Sequence, residues 1–206
     1  MGKLFNLICS EDSLHSAWVR VKKKSSVGGI DQQDIDDFEK DAEKHLSSLK
    51  EDLIEGKYIP EPYYAIDVPK SIDSTEKRRL GLPTIRDKIA QQAVRNAIEP
   101  IFESIFLDVS YGYRPAKGPA RAIRRVWHMI NYEQRKWITI CDIDNFFDTI
   151  DHEILYRKLE EKIEEKEVLN LIMLWVKIGN VDKDGKWIER KKGITQGGII
   201  SPLLSN

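Results

Sequence analysis

The chain has 206 residues, 41% of them hydrophobic, enough to bury a core in one large or two small domains. Its 33 basic and 34 acidic side chains leave a net charge of −1, so overall charge neither demands nor excludes a polyanionic partner. No apolar run is long enough to span a membrane, Met1 to Cys9 is too short for a secretory leader, and Cys9 and Cys141 support neither a disulfide framework nor a zinc site; a reducing, cytoplasmic setting fits.

Taken in order, Ser10 to Lys24 predicts a helix, with Ser10 as N-cap and Glu11 and Asp12 in its first turn. Ser25-Ser26-Val27-Gly28-Gly29 breaks it. Asp31 is placed to cap a second helix through Phe38, Ala42, Leu46, Leu49 and Leu53, stopped by Gly56. Tyr64, Ile66 and Val68 alternate with Ala65 and Asp67, a strand ending at Pro69-Lys70, and Lys77 to Leu82 returns antiparallel. That hairpin gathers Lys70, Lys77, Arg78 and Arg79. Two readings stand: an edge strand protected by charge, or a flap that clamps a triphosphate.

Thr84 and Asp87 form a capping pattern for a helix buried through Ile89, Ala93, Val94, Ala97 and Ile98, which Pro100 kinks or restarts. Ser110-Tyr111-Gly112-Tyr113-Arg114-Pro115 is a punctuated loop. Gly118 to Asn131 is helical, basic on one side and carrying Ala122, Val126 and Ile130 on the other. Arg114, Lys117, Arg121, Arg124, Arg125, Arg135 and Lys136 form a basic cluster suited to phosphate contact. The acidic run Glu160, Glu161, Glu164, Glu165, Glu167 reads as a solvated helix face.

Lys136 to Asp142 reads as a buried strand that runs into a carboxylate, with Asp144 two residues on and Asp148 after two phenylalanines. A carboxylate at the end of a buried strand is costly without a cation or hydrogen bonds. Asp148 or Asp151 serves as cap for the helix beyond, so Asp142 is a candidate metal ligand. Helices follow through Ile154, Leu155 and Leu159 and around Val168 to Val176. Then comes a hairpin from Gly179 to Lys192 turning at Asp184-Gly185, and a Gly-rich loop, Gly193 to Gly198, that leads into a helix.

Four separated segments then agree on one family. Val68-Pro69-Lys70 with Arg78 to Pro83, Ser110 to Pro115, Asp142 to Asp148 and Gly193 to Asn206 resemble the reverse transcriptase domain of group II intron-encoded proteins and their bacterial relatives. The resemblance begins near Ser26-Val27-Gly28-Gly29-Ile30-Asp31. It implies an α+β fold: an N-terminal helix (1–25), fingers (26–135) and part of a palm (136–206), with helices on a short antiparallel sheet. It implies two-metal nucleotidyl transfer with Mg²⁺, or Mn²⁺ in its stead, on an RNA template, a DNA primer and dNTPs, with intron RNA as a further partner. Asp142 is then the first catalytic, metal-binding aspartate and the carbonyl of Ile143 its companion, while Asp144 stays open. Lys70 and Arg78 contact the triphosphate, Phe147 (or Phe146) excludes a ribose 2′-hydroxyl, Gln196 and Gly197 lie against the nucleotide, and Arg114 supports the pocket.

Thr195 and Arg79 stand where the family usually has proline. The family's adjacent aspartates belong in a hairpin beyond the helix that opens at Ser201, and the only such pair here is Asp36-Asp37. The chain is therefore expected to be the fingers and partial palm of a larger polymerase, inactive alone. The alternatives are a non-catalytic RNA-binding or self-associating module, including a homodimer, or the reverse transcriptase of a CRISPR-associated or phage-defence system.

Overall fold

The computed structural model describes residues 2–24, 27–69, 71 and 75–206. Two helices open it, α1 (Lys3–Ile8) and α2 (Glu11–Lys22), and the Ser10 hydroxyl caps α2 by accepting from the Ser13 amide at 3.2 Å. The single helix expected after Asp31 is two, α3 (Ile35–Lys40) and α4 (Ala42–Ile54), parted at Asp41. Asp34 is the cap of α3, not Asp31, because its carboxylate captures the Asp37 amide at 2.8 Å while Asp31 accepts from Gln33 within a turn. Gly56, at φ +68°, follows α4 in the left-handed conformation expected of a helix stop.

The hairpin forms as expected from β1 (Tyr63–Pro69) and β2 (Lys77–Leu82), in register from Tyr64 opposite Leu82 to Pro69 opposite Lys77. Next is α5 (Ile85–Glu103), capped by Thr84, whose hydroxyl accepts from the Asp87 amide at 3.1 Å. The helix continues through Pro100. From Ile85 to Val94 all but Arg86 of its side chains are buried, because α1, α2, α4 and a later helix all pack on it. Its buried polar groups therefore need internal partners. Asp87 accepts from the Tyr58 hydroxyl at 2.5 Å and the Glu61 amide at 3.0 Å, and the Trp175 indole donates to the same Tyr58 oxygen at 2.9 Å. Burial still pushes the Asp87 carboxyl above the usual range against these donors.

The second half holds α6 (Pro119–Asn131), α7 (Phe146–Thr149), α8 (His152–Glu160), α9 (Lys166–Lys177), β3 (Asn180–Val181), β4 (Trp187–Ile188) and α10 (Ser201–Leu204). Asp151 caps α8, accepting from the amides of Glu153 and Ile154. Among the described residues the strands form one sheet in the order β2-β1-β3-β4. Since β1 and β3 run parallel, the sheet is mixed where an antiparallel one was expected, and it ties the hairpin to the second half of the chain.

Lys136 to Asp142 departs most from expectation. No strand forms there, and the segment is exposed, Trp137 at 93% and Ile140 at 91%. A hydrophobic, β-branched run favours a pleated, half-buried surface. A strand, however, exists only by pairing its N–H and C=O groups, and no described strand pairs with this segment. The adjoining α6 likewise buries none of its residues, so Ile123, Val126, Trp127 and Ile130 form an exposed apolar face.

Candidate active site

Segments far apart in sequence meet at a cleft of about 470 Å³. Alternate residues of β2, Arg78, Leu80 and Leu82, line one side, since successive side chains of a strand point to opposite faces. Gln196 to Ile199 line another, with Phe147 of α7 between, and Lys88 and Arg95 of α5 contribute from the helix.

Backbone contacts bring these walls together. The Gly81 amide of β2 donates to the Gln196 carbonyl at 2.7 Å. A Cβ on Gly81 would lie 2.4 Å from Thr195 Cγ2, and one on Gly197, at φ +110°, would lie 2.6 Å from the Gly81 carbonyl oxygen. Only glycine permits both this approach and this φ. The same loop is bound to α7: the Ile194 amide donates to the Phe147 carbonyl and the Gly193 amide to the Ile150 carbonyl, each at 2.7 Å. His152 Nε2 meets the Gly193 carbonyl at 2.7 Å.

Of the residues singled out from the sequence, Arg78, Phe147, Gln196 and Gly197 thus share one cleft. Phe146 lines a separate apolar groove with Phe102, Ile105 and Ile154. Lys70 lies outside the described residues. Arg114 is not in the cleft. Its guanidinium pairs with Glu103 at 3.0 Å and donates to the carbonyls of Leu107 and Ser110, which holds the loop before α6 in place. Arg79, on the other face of β2, pairs with Asp67 across the hairpin at 3.0 Å, as charges on a protected edge strand do. The Arg79 side chain keeps the Asp67 carboxyl below its usual range.

Asp142 and Ile143 sit on the exposed, unpaired segment. An exposed carboxylate carries no burial cost, so only the motif points to Asp142 as a metal ligand. The family resemblance implies a divalent metal ion. The oxygens of Asp142 and Ile143 are of the kind a hard cation takes. Yet among the described residues no group of three or more His, Cys, Asp or Glu side chains is arranged to hold a metal, so these two donors do not by themselves make a site.

Lys88 and Arg95 line the cleft without having been singled out in the sequence, and Tyr113, expected to pack within its loop, lines it as well. Lys88 donates to the Val27 carbonyl, and burial lowers its ammonium pKa to about 8 although Asp31 opposes the shift. Arg95 pairs with Glu99 at 2.8 Å and donates to the Ile199 carbonyl at 3.3 Å. Lys88, Gln91 and Arg95 recur at three- and four-residue spacing within an otherwise apolar helix, the signal that a polar stripe faces something specific.

The cleft gathers the cationic side chains of Arg78, Lys88 and Arg95 between a strand of the β-hairpin and a glycine loop. The sequence profile described as "Reverse transcriptase (RNA-dependent DNA polymerase)" matches residues 68–206, and the chain belongs to that family. It is 36% identical to Protein YkfC of Escherichia coli (strain K12) over 164 residues, 78% of this chain and 42% of that protein. It is 31% identical over 206 residues to the group II intron-encoded protein LtrA of Lactococcus lactis subsp. cremoris, covering 99% of this chain and 33% of that protein. The chain thus spans well under half the length of these relatives. A chain of the solved "Partial Cas6-RT-Cas1--Cas2 complex" superposes with a TM-score of 0.65 over 99% of this chain and 33% of that one, at 22% identity, a likeness of fold.

Proposed function

We propose that this chain supplies the nucleotide-facing fingers (26–135) and part of the palm (136–206) of an RNA-directed DNA polymerase of a group II intron-type retroelement. The observation that carries the reading is the convergence of Arg78, Phe147, Gln196 and Gly197, drawn from three separate motifs, on one cleft. The likeness to LtrA, a group II intron-encoded protein, supports the retroelement assignment and intron RNA as a partner.

In this reading a primer 3′-hydroxyl loses its proton and attacks the α-phosphate of a dNTP paired to an RNA template, the α–β phosphoanhydride bond breaks, and pyrophosphate leaves. Arg78, with Lys70, neutralises the triphosphate, as charge does most of the work in phosphoryl chemistry. The Phe147 ring occupies the space a ribose 2′-hydroxyl needs. The Gln196–Gly197 backbone lies against the nucleotide. When bound, Mg²⁺ or Mn²⁺ would supply further charge neutralisation, and Asp142 and the Ile143 carbonyl would be among the groups that hold it. Free Cys9 and Cys141 suit a reducing, cytoplasmic setting.

Primer extension by the full-length protein on an RNA template tests the proposal. Asp142→Ala is expected to abolish extension while leaving the melting temperature unchanged, because Asp142 is exposed. Extension retained in that variant removes Asp142 from the reaction. A second reading, an RNA-binding or self-associating module, is favoured by α6, which pairs exposed Arg121, Arg124 and Arg125 with an uncovered apolar face. RNA affinity that does not fall with added salt counts against it.

A further inference from the structure

The Gln196–Ile200 loop carries cleft residues, and side chains from outside the loop hold its backbone in place. Two side chains one turn apart on α5 do so. Gln91 is completely buried, at 0% exposure, and lies outside the cleft. Its Oε1 accepts from the Ile199 amide at 2.9 Å and the Ile200 amide at 3.5 Å. Its Nε2 donates to the Tyr63 hydroxyl at 3.1 Å, which fixes which end of the amide faces the loop. Arg95, four residues on, donates to the Ile199 carbonyl at 3.3 Å while Glu99 holds its guanidinium. Ile199 is thus gripped at both its N–H and its C=O by one helix. Tyr63 completes the frame, since its hydroxyl donates to the Trp175 carbonyl of α9 at 3.4 Å and its Cβ and Cγ lie 3.0 and 3.3 Å from where a Cβ on Gly81 would stand.

We propose that Gln91 is a positioning residue for nucleotide binding: it clamps the Ile199–Ile200 backbone to α5 and so sets how Gln196 and Gly197 meet the incoming nucleotide. The assignment rests on the polymerase reading above. A buried primary amide suits the task because it accepts from the loop and donates to the frame at once, without a buried charge. An apolar side chain of the same length leaves two loop amides without an acceptor, and the loop then samples other positions.

Gln91→Met keeps the length and removes both hydrogen-bonding functions. Two measurements on it decide the matter. Hydrogen exchange at the Ile199 and Ile200 amides is expected to quicken about tenfold or more while exchange within α5 is unchanged, the loss of one buried hydrogen bond. In the full-length protein the KM for dNTP is expected to rise about tenfold with kcat within about threefold, a loss of uniform binding. Gln91→Glu, which keeps the acceptor, is expected to restore much of the KM. Should Gln91→Met fail to fold, Tyr63→Phe, which removes only the hydroxyl that orients the amide, is expected to give the same KM change in smaller measure. Unchanged exchange at Ile199 and Ile200 overturns the clamp. Faster exchange with an unchanged KM, or a fall in kcat alone, overturns its role in nucleotide binding. If the unsubstituted full-length protein extends no primer, the polymerase reading fails, and the exchange measurement still judges the clamp.

Discussion

Phe147 and Phe146 are neighbours in sequence but stand in different surroundings. The first lines the basic cleft with Gln196, and the second lines an apolar groove with Phe102. If Phe147 guards against a 2′-hydroxyl, Phe147→Val is expected to raise ribonucleotide incorporation by about tenfold or more while Phe146→Val does not, in primer extension with rNTPs; shape exclusion of one hydroxyl is worth about 1–3 kcal/mol. Lys88 offers a test that needs no activity. Its folded-state pKa of about 8 lies below the ordinary 10.5. Between those values the unfolded chain holds more protons than the folded one, so this group makes the fold more stable as pH rises through the window. Lys88→Met is expected to abolish that part of the rise, measured by urea unfolding at about pH 8 and about pH 9.5.

At the scale of elements, α5 is a central post whose polar side chains are all spoken for. The Tyr58 hydroxyl donates to Asp87 and accepts from the Trp175 indole, linking the approach to β1, α5 and α9. Tyr58→Phe leaves a buried indole N–H without its acceptor and a carboxylate oxygen without its donor. It is expected to cost about 1–3 kcal/mol of unfolding free energy, seen as a lower urea midpoint at unchanged slope. Ile89→Ala, at a fully buried position of the same helix, is expected to cost about 2–5 kcal/mol. The glycine pair is a separate device. Gly197→Ala places a Cβ 2.6 Å from the Gly81 carbonyl at a φ that L-residues avoid. It should disturb the cleft more than the core.

Over the whole molecule the two faces differ. One side is built around α5, and the other leaves α6 and the Trp137–Ile140 run uncovered. Contiguous exposed apolar surface of this kind drives association. The 206-residue chain is expected to scatter light as an assembly that grows with concentration, and Trp127→Lys with Trp137→Lys to return it to a monomer. Concentration-independent monomer before substitution rules that out. The caps at Ser10, Thr84 and Asp151, the β1–β2 hairpin, the helices α2, α5, α6, α8 and α9, and the turn at Gly185 were legible from the chain because they depend on residues within a turn or two of each other. The cleft residues were legible only as separate motifs. That Arg78, Phe147 and Gln196 share a cleft, that Arg114 is tied to Glu103, that Arg79 turns to Asp67 and that Gln91 grips Ile199 were decided by tertiary structure. Each depends on backbone segments brought together from tens of residues apart, where pairing, burial and glycine clearance choose among partners that local pattern leaves equivalent. The Asp142 strand marks the same boundary from the other side: its residues prefer a sheet, but hydrogen-bonding neighbours, which no local pattern supplies, decide whether a strand exists.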